Sequence, residues 1–170
     1  MRSRAVFLDR DGVLVRERGF ITSPGQLETL PGAAGGMAAL RRSDFLLVVV
    51  TNQSGIARGL LTGADLASIH VELALRLRAE DPGAFWDALY SCPHHPDFGG
   101  PCACRKPLPG MLRQAAREHG IDLAASWMIG DAPRDLEAGR AAGCRTVALP
   151  PAEGGDLTAR DLKDAASRLV

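Results

Sequence analysis

Two aspartates one residue apart, Asp9 and Asp11, stand directly after a short apolar run and directly before Gly12. The run, residues 4–8, is typical of a strand that is buried on both faces of a parallel sheet. Asp9 would then lie at the carboxyl end of the strand, where open α/β sheets bind their ligands. Carboxylate oxygens suit a hard cation such as Mg²⁺, which also takes oxygen ligands from phosphate groups. The alternative for this pair alone is a plain Asp-Gly turn.

Further polar groups are predicted at the same edge of the sheet. They are Thr51 and Asn52 after the second strand, Asp131 and Asp135 after the fourth, and Arg105 and Lys106 before a helix. Because the carboxyl ends of parallel strands share one edge, these groups can converge with Asp9 and Asp11. The carboxylates would repel one another without a cation, and a phosphate would be repelled without a lysine. We therefore predict a Mg²⁺–phosphate site, although each group alone could be a turn, a helix cap or a solvated side chain.

A second set of potential metal ligands lies in a loop rich in Pro, Gly, Cys and His, at about residues 92–104. The set consists of Cys92, His94, Cys102 and Cys104. Three sulfur ligands and an imidazole at this spacing are typical of a zinc site. Four protein ligands leave no position for a water nucleophile, so we expect a structural zinc ion. The alternative is a group of reduced, free cysteines, and Cys144 is expected to be a buried apolar residue.

The composition restricts the possible classes of protein. The 170 residues include 20 Lys and Arg against 20 Asp and Glu, and 46% of them are hydrophobic. We expect a single α/β domain over residues 1–170. The chain offers no basic surface for nucleic acid or an anionic membrane, no apolar run long enough to span a bilayer, and no signal-peptide core before Asp9. The expectation is a cytoplasmic monomer without a nucleic-acid or membrane partner.

Strand and helix patterns alternate along the chain. Strands are predicted at residues 4–8, 45–50, 85–90, 126–129 and 146–149, and helices at residues 31–42, 62–79, 110–119, 134–142 and 158–169. This alternation predicts a parallel sheet of about five strands, with right-handed crossovers and helices on both faces. Residues 13–30 are predicted to form a loop above the end of the first strand.

Five motifs, in order along the chain, resemble those of the haloacid-dehalogenase superfamily. They are FLDRDG at residues 7–12, TNQSGIARG at 51–59, CPHHP at 92–96, CACRKP at 102–107 and GD at 130–131. The resemblance covers residues 4–149 and is closest to the branch that holds the phosphatases of heptose 1,7-bisphosphate and of histidinol phosphate. It implies a Rossmann-like α/β fold with loop-sized caps and a structural zinc loop.

The resemblance also implies roles for individual residues. Asp9 would be a nucleophile that forms an aspartyl-phosphate, and Asp11 would be the general acid and base. Mg²⁺ would be held by Asp9, the backbone carbonyl of Asp11 and Asp131, whereas Thr51 and Lys106 would bind the transferring phosphoryl group. Substrate contacts are expected from Arg105, from Asn52, Gln53 and Ser54, and from the loop Glu17, Arg18, Gly19 and Phe20.

The chain departs from the family pattern at positions that would contact the substrate. In the family a lysine commonly follows the Gly-Asp of the fourth strand, and Ala132 stands there in this chain. Arg134 is close in sequence, but a helix that begins at this residue is predicted to point it elsewhere. The family's Asp-His-Gly-Tyr loop reads Glu-Arg-Gly-Phe at residues 17–20, and Val15 replaces an Asn. These departures affect substrate binding and leave the phosphoryl-transfer residues in place.

The sequence therefore favours a Mg²⁺-dependent phosphatase that acts on a small phosphorylated sugar. The first expectation is that it converts D-glycero-D-manno-heptose 1,7-bisphosphate to the 1-phosphate. Histidinol phosphate is the alternative substrate within the same branch, and a non-catalytic, zinc-stabilised module that binds a phospho-ligand is an alternative of another class. Binding alone needs neither a nucleophile nor an acid, so the joint presence of Asp9, Asp11, Lys106 and Asp131 argues against such a module.

Overall fold

One sheet of six parallel strands forms the centre of the computed structural model, which describes residues 3–170. The strand order across the sheet is β3-β2-β1-β4-β5-β6. The strands are β1 (Ala5–Leu8), β2 (Leu46–Asn52), β3 (Ala88–Cys92), β4 (Trp127–Gly130), β5 (Arg145–Ala148) and β6 (Leu157–Thr158). The predicted parallel α/β fold is confirmed, and the sheet has six strands where about five were predicted.

Helices cover both faces of the sheet, as predicted. They are α1 (Ala33–Arg42), α2 (Gly63–Glu80), α3 (Gly110–His119), α4 (Pro133–Ala142) and α5 (Leu162–Leu169). Successive side chains of a strand point to opposite faces, and β1 follows this rule. Val6 and Leu8 join the apolar core beneath α1, α2 and α5, whereas Ala5 and Phe7 join the core beneath α3 and α4.

The sixth strand replaces the start of a predicted helix. The predicted helix over residues 158–169 begins only at Leu162, where Asp161 caps it by accepting a hydrogen bond from the Asp164 amide. Thr158 belongs to β6 instead. The Asp156 carboxylate fixes this segment to β5, because it accepts from the amide and the hydroxyl of Thr146 at 2.7 and 2.8 Å.

The strand order places β1 in the middle of the sheet. Leu8 is in register with Val49 of β2 on one side and with Ile129 of β4 on the other. The residues that follow these three strands therefore meet at one edge, which is the geometry predicted for ligand binding in an open parallel sheet. None of the helices within residues 3–170 has the length and apolar character that crossing a membrane requires.

Candidate active site

Asp9 lies at the end of β1 and is almost completely buried. Its Oδ1 accepts a hydrogen bond from the Arg10 amide at 2.7 Å and lies 3.0 Å from Nζ of Lys106. The same Nζ lies 2.7 Å from Asp135 Oδ1 and donates to the Val50 carbonyl at 2.8 Å. A buried ammonium group surrounded by three oxygens is fixed in position and keeps its charge beside the Asp9 carboxylate.

The loop that carries Lys106 is attached to the end of β2 by Asn52. The Asn52 side chain accepts from the Lys106 amide and donates to the Lys106 carbonyl, both at 3.0 Å. Burial alone would lower the pKa of Lys106, but the carboxylates of Asp9 and Asp135 outweigh it and raise that pKa. Asn52, predicted only as a substrate contact, thus also positions the lysine.

Three aspartates form an acidic cluster at this edge of the sheet. Carboxylate oxygens of Asp9, Asp131 and Asp135 all lie within 4.8 Å of one another. Burial and the charges of Asp9 and Asp135 raise the pKa of Asp131 to about 7. Within residues 3–170, Asp131 Oδ1 is buried and has no hydrogen-bond partner. The raised pKa of Asp131 and its unpartnered buried oxygen, together with two further carboxylates, fit a hard divalent cation such as Mg²⁺.

Asp135 was noted after the fourth strand, but the sequence reasoning gave it no role. It is fully buried at the start of α4, where its Oδ2 also accepts from the Ala132 amide at 3.1 Å. The available signal was an aspartate four residues after Asp131, in the first turn of a helix that follows the strand. Conversely, the Asp11 carboxylate lies outside the cluster, so any metal contact from Asp11 would come from its backbone carbonyl.

Two glycines permit the close approach of these groups. Gly12 has φ +79°, and a Cβ atom there would lie 1.9 Å from Asp131 Oδ2. A Cβ atom at Gly130 would lie 2.2 Å from Cβ of Asp135. Both distances are far below van der Waals contact, so a side chain at either position would displace a member of the acidic cluster.

The Asp11 side chain is held by two neighbours. Its oxygens accept from Arg10 at 2.9 and 3.0 Å, and its Oδ2 also accepts from Gln53 Nε2 at 3.0 Å. Burial raises the pKa of Asp11, and the Arg10 guanidinium opposes that rise. Gln53 also donates to the fully buried Thr51 hydroxyl at 2.8 Å, so these two predicted site residues lie side by side.

A pocket of about 150 Å³ opens above Asp9 and Asp11. Its lining contains most of the predicted substrate-binding residues: Glu17, Gly19, Phe20, Asn52, Gln53, Ser54 and Arg105. A larger cavity, of about 490 Å³, adjoins it on the side of Gly12 and Asp131.

Two arginines differ from their predicted positions. Arg18 forms an ion pair with Glu28 and lies outside the pocket, because the loop turns its side chain toward the neighbouring segment. Arg134 was predicted to point away, but it lines the pocket from the first turn of α4. The helix begins one residue earlier than predicted, at Pro133.

The four predicted zinc ligands converge beside the pocket. Cys92, His94, Cys102 and Cys104 place their ligand atoms within 4.8 Å of one another, and the Sγ atoms of Cys92 and Cys102 are 3.6 Å apart. None of these cysteines is in a disulfide. Separations of this size and a set of three thiols and one imidazole fit tetrahedral zinc. His95 lies outside this cluster and contacts Arg58 at 3.1 Å instead.

The cysteine cluster is connected directly to the pocket. Arg105 follows Cys104 and donates from its guanidinium to the His94 carbonyl at 3.2 Å. Lys106 is the next residue along the chain. Cys144 lies elsewhere, buried beneath α4, and burial raises its pKa to about 12, so its thiol stays protonated near neutral pH.

Comparison with known proteins identifies the family. A HAD-hydrolase-like family model matches residues 103–167. The D-glycero-beta-D-manno-heptose-1,7-bisphosphate 7-phosphatase of Bordetella bronchiseptica is 45% identical over 142 residues, which are 83% of this chain and 77% of that protein. The enzyme of the same name from Yersinia pestis is 43% identical over 150 residues, which are 85% of this chain and 79% of that protein. The chain belongs to the haloacid-dehalogenase-like phosphatases.

A solved structure supports the same membership. The D,D-heptose 1,7-bisphosphate phosphatase of B. bronchiseptica, solved in complex with magnesium and phosphate, superimposes with a TM-score of 0.88 at 39% identity, over 98% of this chain and 97% of that chain. A haloacid-dehalogenase-like phosphatase is a phosphoric monoester hydrolase. The hypothesis of a non-catalytic binding module is therefore not supported.

Proposed function

We propose that this phosphatase removes the C7 phosphate of D-glycero-beta-D-manno-heptose 1,7-bisphosphate and leaves the 1-phosphate. The observation that carries the proposal is the pairing of Asp9 with the buried Lys106 beside the acidic cluster, in one pocket with Asp11. The 45% identity to an enzyme named for this substrate supports the choice of sugar.

Covalent catalysis by Asp9 accounts for the arrangement. A carboxylate oxygen of Asp9 attacks phosphorus while the bond from phosphorus to the C7 oxygen breaks, and Asp11 gives a proton to the departing oxygen. Asp11 then takes a proton from a water molecule that attacks the aspartyl-phosphate, so that Asp9 is restored and inorganic phosphate is released. Lys106 stabilises the negative charge of the phosphoryl oxygens in both steps.

Asp9, Asp131 and Asp135 would hold Mg²⁺, with the Asp11 carbonyl as the further ligand that the family resemblance implies. When bound, Mg²⁺ neutralises charge between the carboxylates and the phosphate and orients the phosphoryl group. The carboxylate-only donor set and the unpartnered Asp131 Oδ1 support this assignment.

Two guanidinium groups are available for the second phosphate of the substrate. The reacting phosphate would be bound by Lys106 and by Mg²⁺, whereas Arg105 and Arg134 line the pocket. Planar guanidinium groups bind phosphate oxygens through paired hydrogen bonds. We assign the distal phosphate to these two arginines, and Arg134 supplies a cation near the position where Ala132 lacks one.

We also propose a structural zinc ion at Cys92, His94, Cys102 and Cys104. Zinc there would tie the loop after β3 to the residues immediately before Lys106 and would thereby fix both Arg105 and Lys106. All four coordination positions would be filled by protein, so this ion would not activate water.

The test is a comparison of phosphate release from a set of substrates by the purified enzyme with Mg²⁺. The set contains the heptose 1,7-bisphosphate, heptose and hexose monophosphates, and histidinol phosphate, and the inactive control is Asp9→Asn. We expect the highest kcat/KM for the bisphosphate. A higher kcat/KM for histidinol phosphate would contradict the proposed substrate and leave the phosphatase mechanism intact.

A further inference from the structure

Arg10 is the largest side chain that is fully buried in residues 3–170, with 1% of it exposed. A guanidinium group is always charged, so it needs partners when it leaves water. Nε and one terminal nitrogen of Arg10 donate to Oδ2 and Oδ1 of Asp11, at 3.0 and 2.9 Å. The other terminal nitrogen lies 3.4 Å from Nε2 of His70. Arg10 is therefore held between Asp11 and His70.

His70 comes from α2, not from the strand ends that form the site. Burial, together with the Arg10 charge, lowers the pKa of His70 to about 4, so the ring is neutral near pH 7. A neutral imidazole has one nitrogen that accepts a hydrogen bond, and contact with a pure donor assigns that role to Nε2. The remaining terminal nitrogen of Arg10 thus faces a hydrogen-bond acceptor, His70 Nε2, that has no role in the proposed reaction.

The contacts of Asp11 leave one position open. A carboxylate offers about four lone-pair sites, two on each oxygen. On Oδ2, Arg10 Nε occupies one and Gln53 Nε2 the other, and on Oδ1 Arg10 occupies one. The free site is on Oδ1. Gln53 is fixed in turn by its hydrogen bond to Thr51, so the carboxyl plane is defined from both sides.

We propose that Arg10, seated on His70, is a positioning residue that orients Asp11 so that Oδ1 holds and delivers the catalytic proton. This inference rests on the proposed function, in which Asp11 is the acid and base. The proton leaves Oδ1 for the departing sugar oxygen as the phosphorus–oxygen bond breaks. It is replaced from the water whose oxygen then bonds to phosphorus and releases Asp9. His70 influences Asp11 only through Arg10, because among the residues of this arrangement it contacts Arg10 alone.

The test uses two polar variants that differ in where they place an acceptor. His70→Gln keeps an acceptor near the Nε2 position, whereas His70→Asn moves it to the Nδ1 position, out of reach of Arg10. Each is measured on heptose 1,7-bisphosphate, whose alkoxide leaving group needs a proton, and on p-nitrophenyl phosphate, whose phenolate departs without one. The quantity is kcat/KM, because it covers the steps up to departure of the alcohol and excludes hydrolysis of the aspartyl-phosphate.

We expect His70→Asn to lower kcat/KM about 10-fold on the bisphosphate and less than about twofold on the aryl phosphate. The 10-fold loss is a part of the roughly 10²- to 10⁴-fold rate increase that a general acid typically contributes. His70→Gln should remain within about threefold of the wild type on both substrates. The ratio of the two kcat/KM values is unaffected by a fraction of unfolded enzyme, so it is informative even for a less stable variant.

Asp11→Asn and His119→Asn serve as reference variants. Asp11→Asn should lower kcat/KM on the bisphosphate more than His70→Asn does, again with a smaller loss on the aryl phosphate. Equal losses of Asp11→Asn on the two substrates would overturn the acid role of Asp11 itself. His119→Asn removes a histidine on α3, which packs on the other face of the sheet from α2, and should leave the ratio unchanged. Three results would overturn the positioning role: equal losses on both substrates with His70→Asn, no loss with His70→Asn, or identical behaviour of His70→Asn and His70→Gln. None of them would contradict the acid and base role of Asp11.

Discussion

At the scale of single residues, the site is a balance of buried charges. Carboxylate oxygens of Asp9, Asp131 and Asp135 lie within 4.8 Å of one another. The Lys106 ammonium group is within 3.0 Å of two of these carboxylates, those of Asp9 and Asp135, and these three residues are buried. An incoming phosphate adds further negative charge, so Lys106 and a divalent cation together are needed to offset it. Removal of any one charge therefore changes both binding and chemistry.

The first prediction concerns Asp9. Asp9→Asn keeps the shape of the side chain but removes the nucleophile and one charge from the acidic cluster. We expect kcat/KM to fall at least ~10³-fold on every substrate, as loss of a nucleophile typically does. Steady-state phosphate release measures this, with circular dichroism to verify folding. Activity within tenfold of the wild type would exclude the aspartyl-phosphate route.

The second prediction concerns Arg105 and Arg134. Each contact with an exposed distal phosphate is worth about 1–3 kcal/mol, as for hydrogen bonds to charged groups. Arg134→Ala and Arg105→Ala should each lower kcat/KM about 10- to 100-fold on the bisphosphate and clearly less on a monophosphate. Arg18→Ala is the matched control, because Arg18 pairs with Glu28 outside the pocket. Equal losses on both substrates would show that these arginines serve the reacting phosphate.

At the scale of elements, the loop between β3 and α3 connects two sites. It begins at Cys92, the last residue of β3, and ends in the Arg105–Lys106 pair before α3. Between these points the loop contains little regular structure, only one short 3₁₀ turn at Pro96–Phe98. The position of Lys106 therefore depends on the hydrogen bonds from Asn52 and on the order of the four clustered residues Cys92, His94, Cys102 and Cys104.

The third prediction follows from this dependence. Cys102→Ser removes one ligand from the cluster, so zinc content and melting temperature should fall together, because metal binding and loop order are coupled. Elemental analysis of protein purified without chelator and a thermal melt measure both. Cys144→Ser is a control that removes a thiol outside the cluster and should retain the zinc. Absence of zinc from the wild-type protein would contradict the prediction.

Sequence reasoning predicted the elements whose patterns are strong and missed those that depend on tertiary contacts. The bounds predicted for α3 are those observed, since Gly120 ends the helix in a left-handed conformation. The third strand was predicted at residues 85–90 but lies at Ala88–Cys92, because Phe85 stacks beneath Arg41 and the Asp87 carboxylate accepts from Leu47. The two residues of β6 have no pattern of their own and are held by a carboxylate from a loop.

The same distinction holds for the site. Asp9, Asp131 and Lys106 come together because each follows or adjoins the end of a strand, which the alternation of elements predicts. The direction of Arg18 depends on its ion pair with Glu28, and that of Arg134 on where the first turn of α4 lies relative to the pocket. Neither is visible in local sequence. The role of His70 depends on how α2 packs over β1, a long-range contact that one sequence does not specify.

At the scale of the whole molecule, protons would compete with the proposed Mg²⁺ for the acidic cluster. Burial and neighbouring charges raise the pKa of Asp131 to about 7, above its value in an unfolded chain, and they raise those of Asp11 and Asp135 as well. The metal-free folded protein therefore binds protons that the unfolded chain does not bind between about pH 4 and 7. The contribution of these groups to the free energy of unfolding of the metal-free protein is therefore highest below about pH 4, and it decreases as the pH rises through about 7.

The fourth prediction is that Mg²⁺ stabilises the protein more at pH 8 than at pH 5.5. Protonation of Asp131 should weaken apparent Mg²⁺ affinity at pH 5.5 by on the order of tenfold, and the increase in Tm should shrink accordingly. Thermal melts with and without about 5 mM Mg²⁺ at each pH measure this. Asp131→Asn should reduce the dependence on pH, and an equal Tm increase at both pH values would contradict the assignment.

The central place of β1 has a consequence for biosynthesis. Asp9 leaves the ribosome before Lys106 and Asp131, yet β1 lies between β2 and β4 in the sheet, and Asp131 follows β4. At about 5–20 residues per second, translation separates these residues by on the order of ten seconds. Until the end of that interval, a nascent chain carries Asp9 without the other two members of the acidic cluster, Asp131 and Asp135. Phosphatase activity can therefore begin only once β4 and the aspartates that follow it, Asp131 and Asp135, have been made.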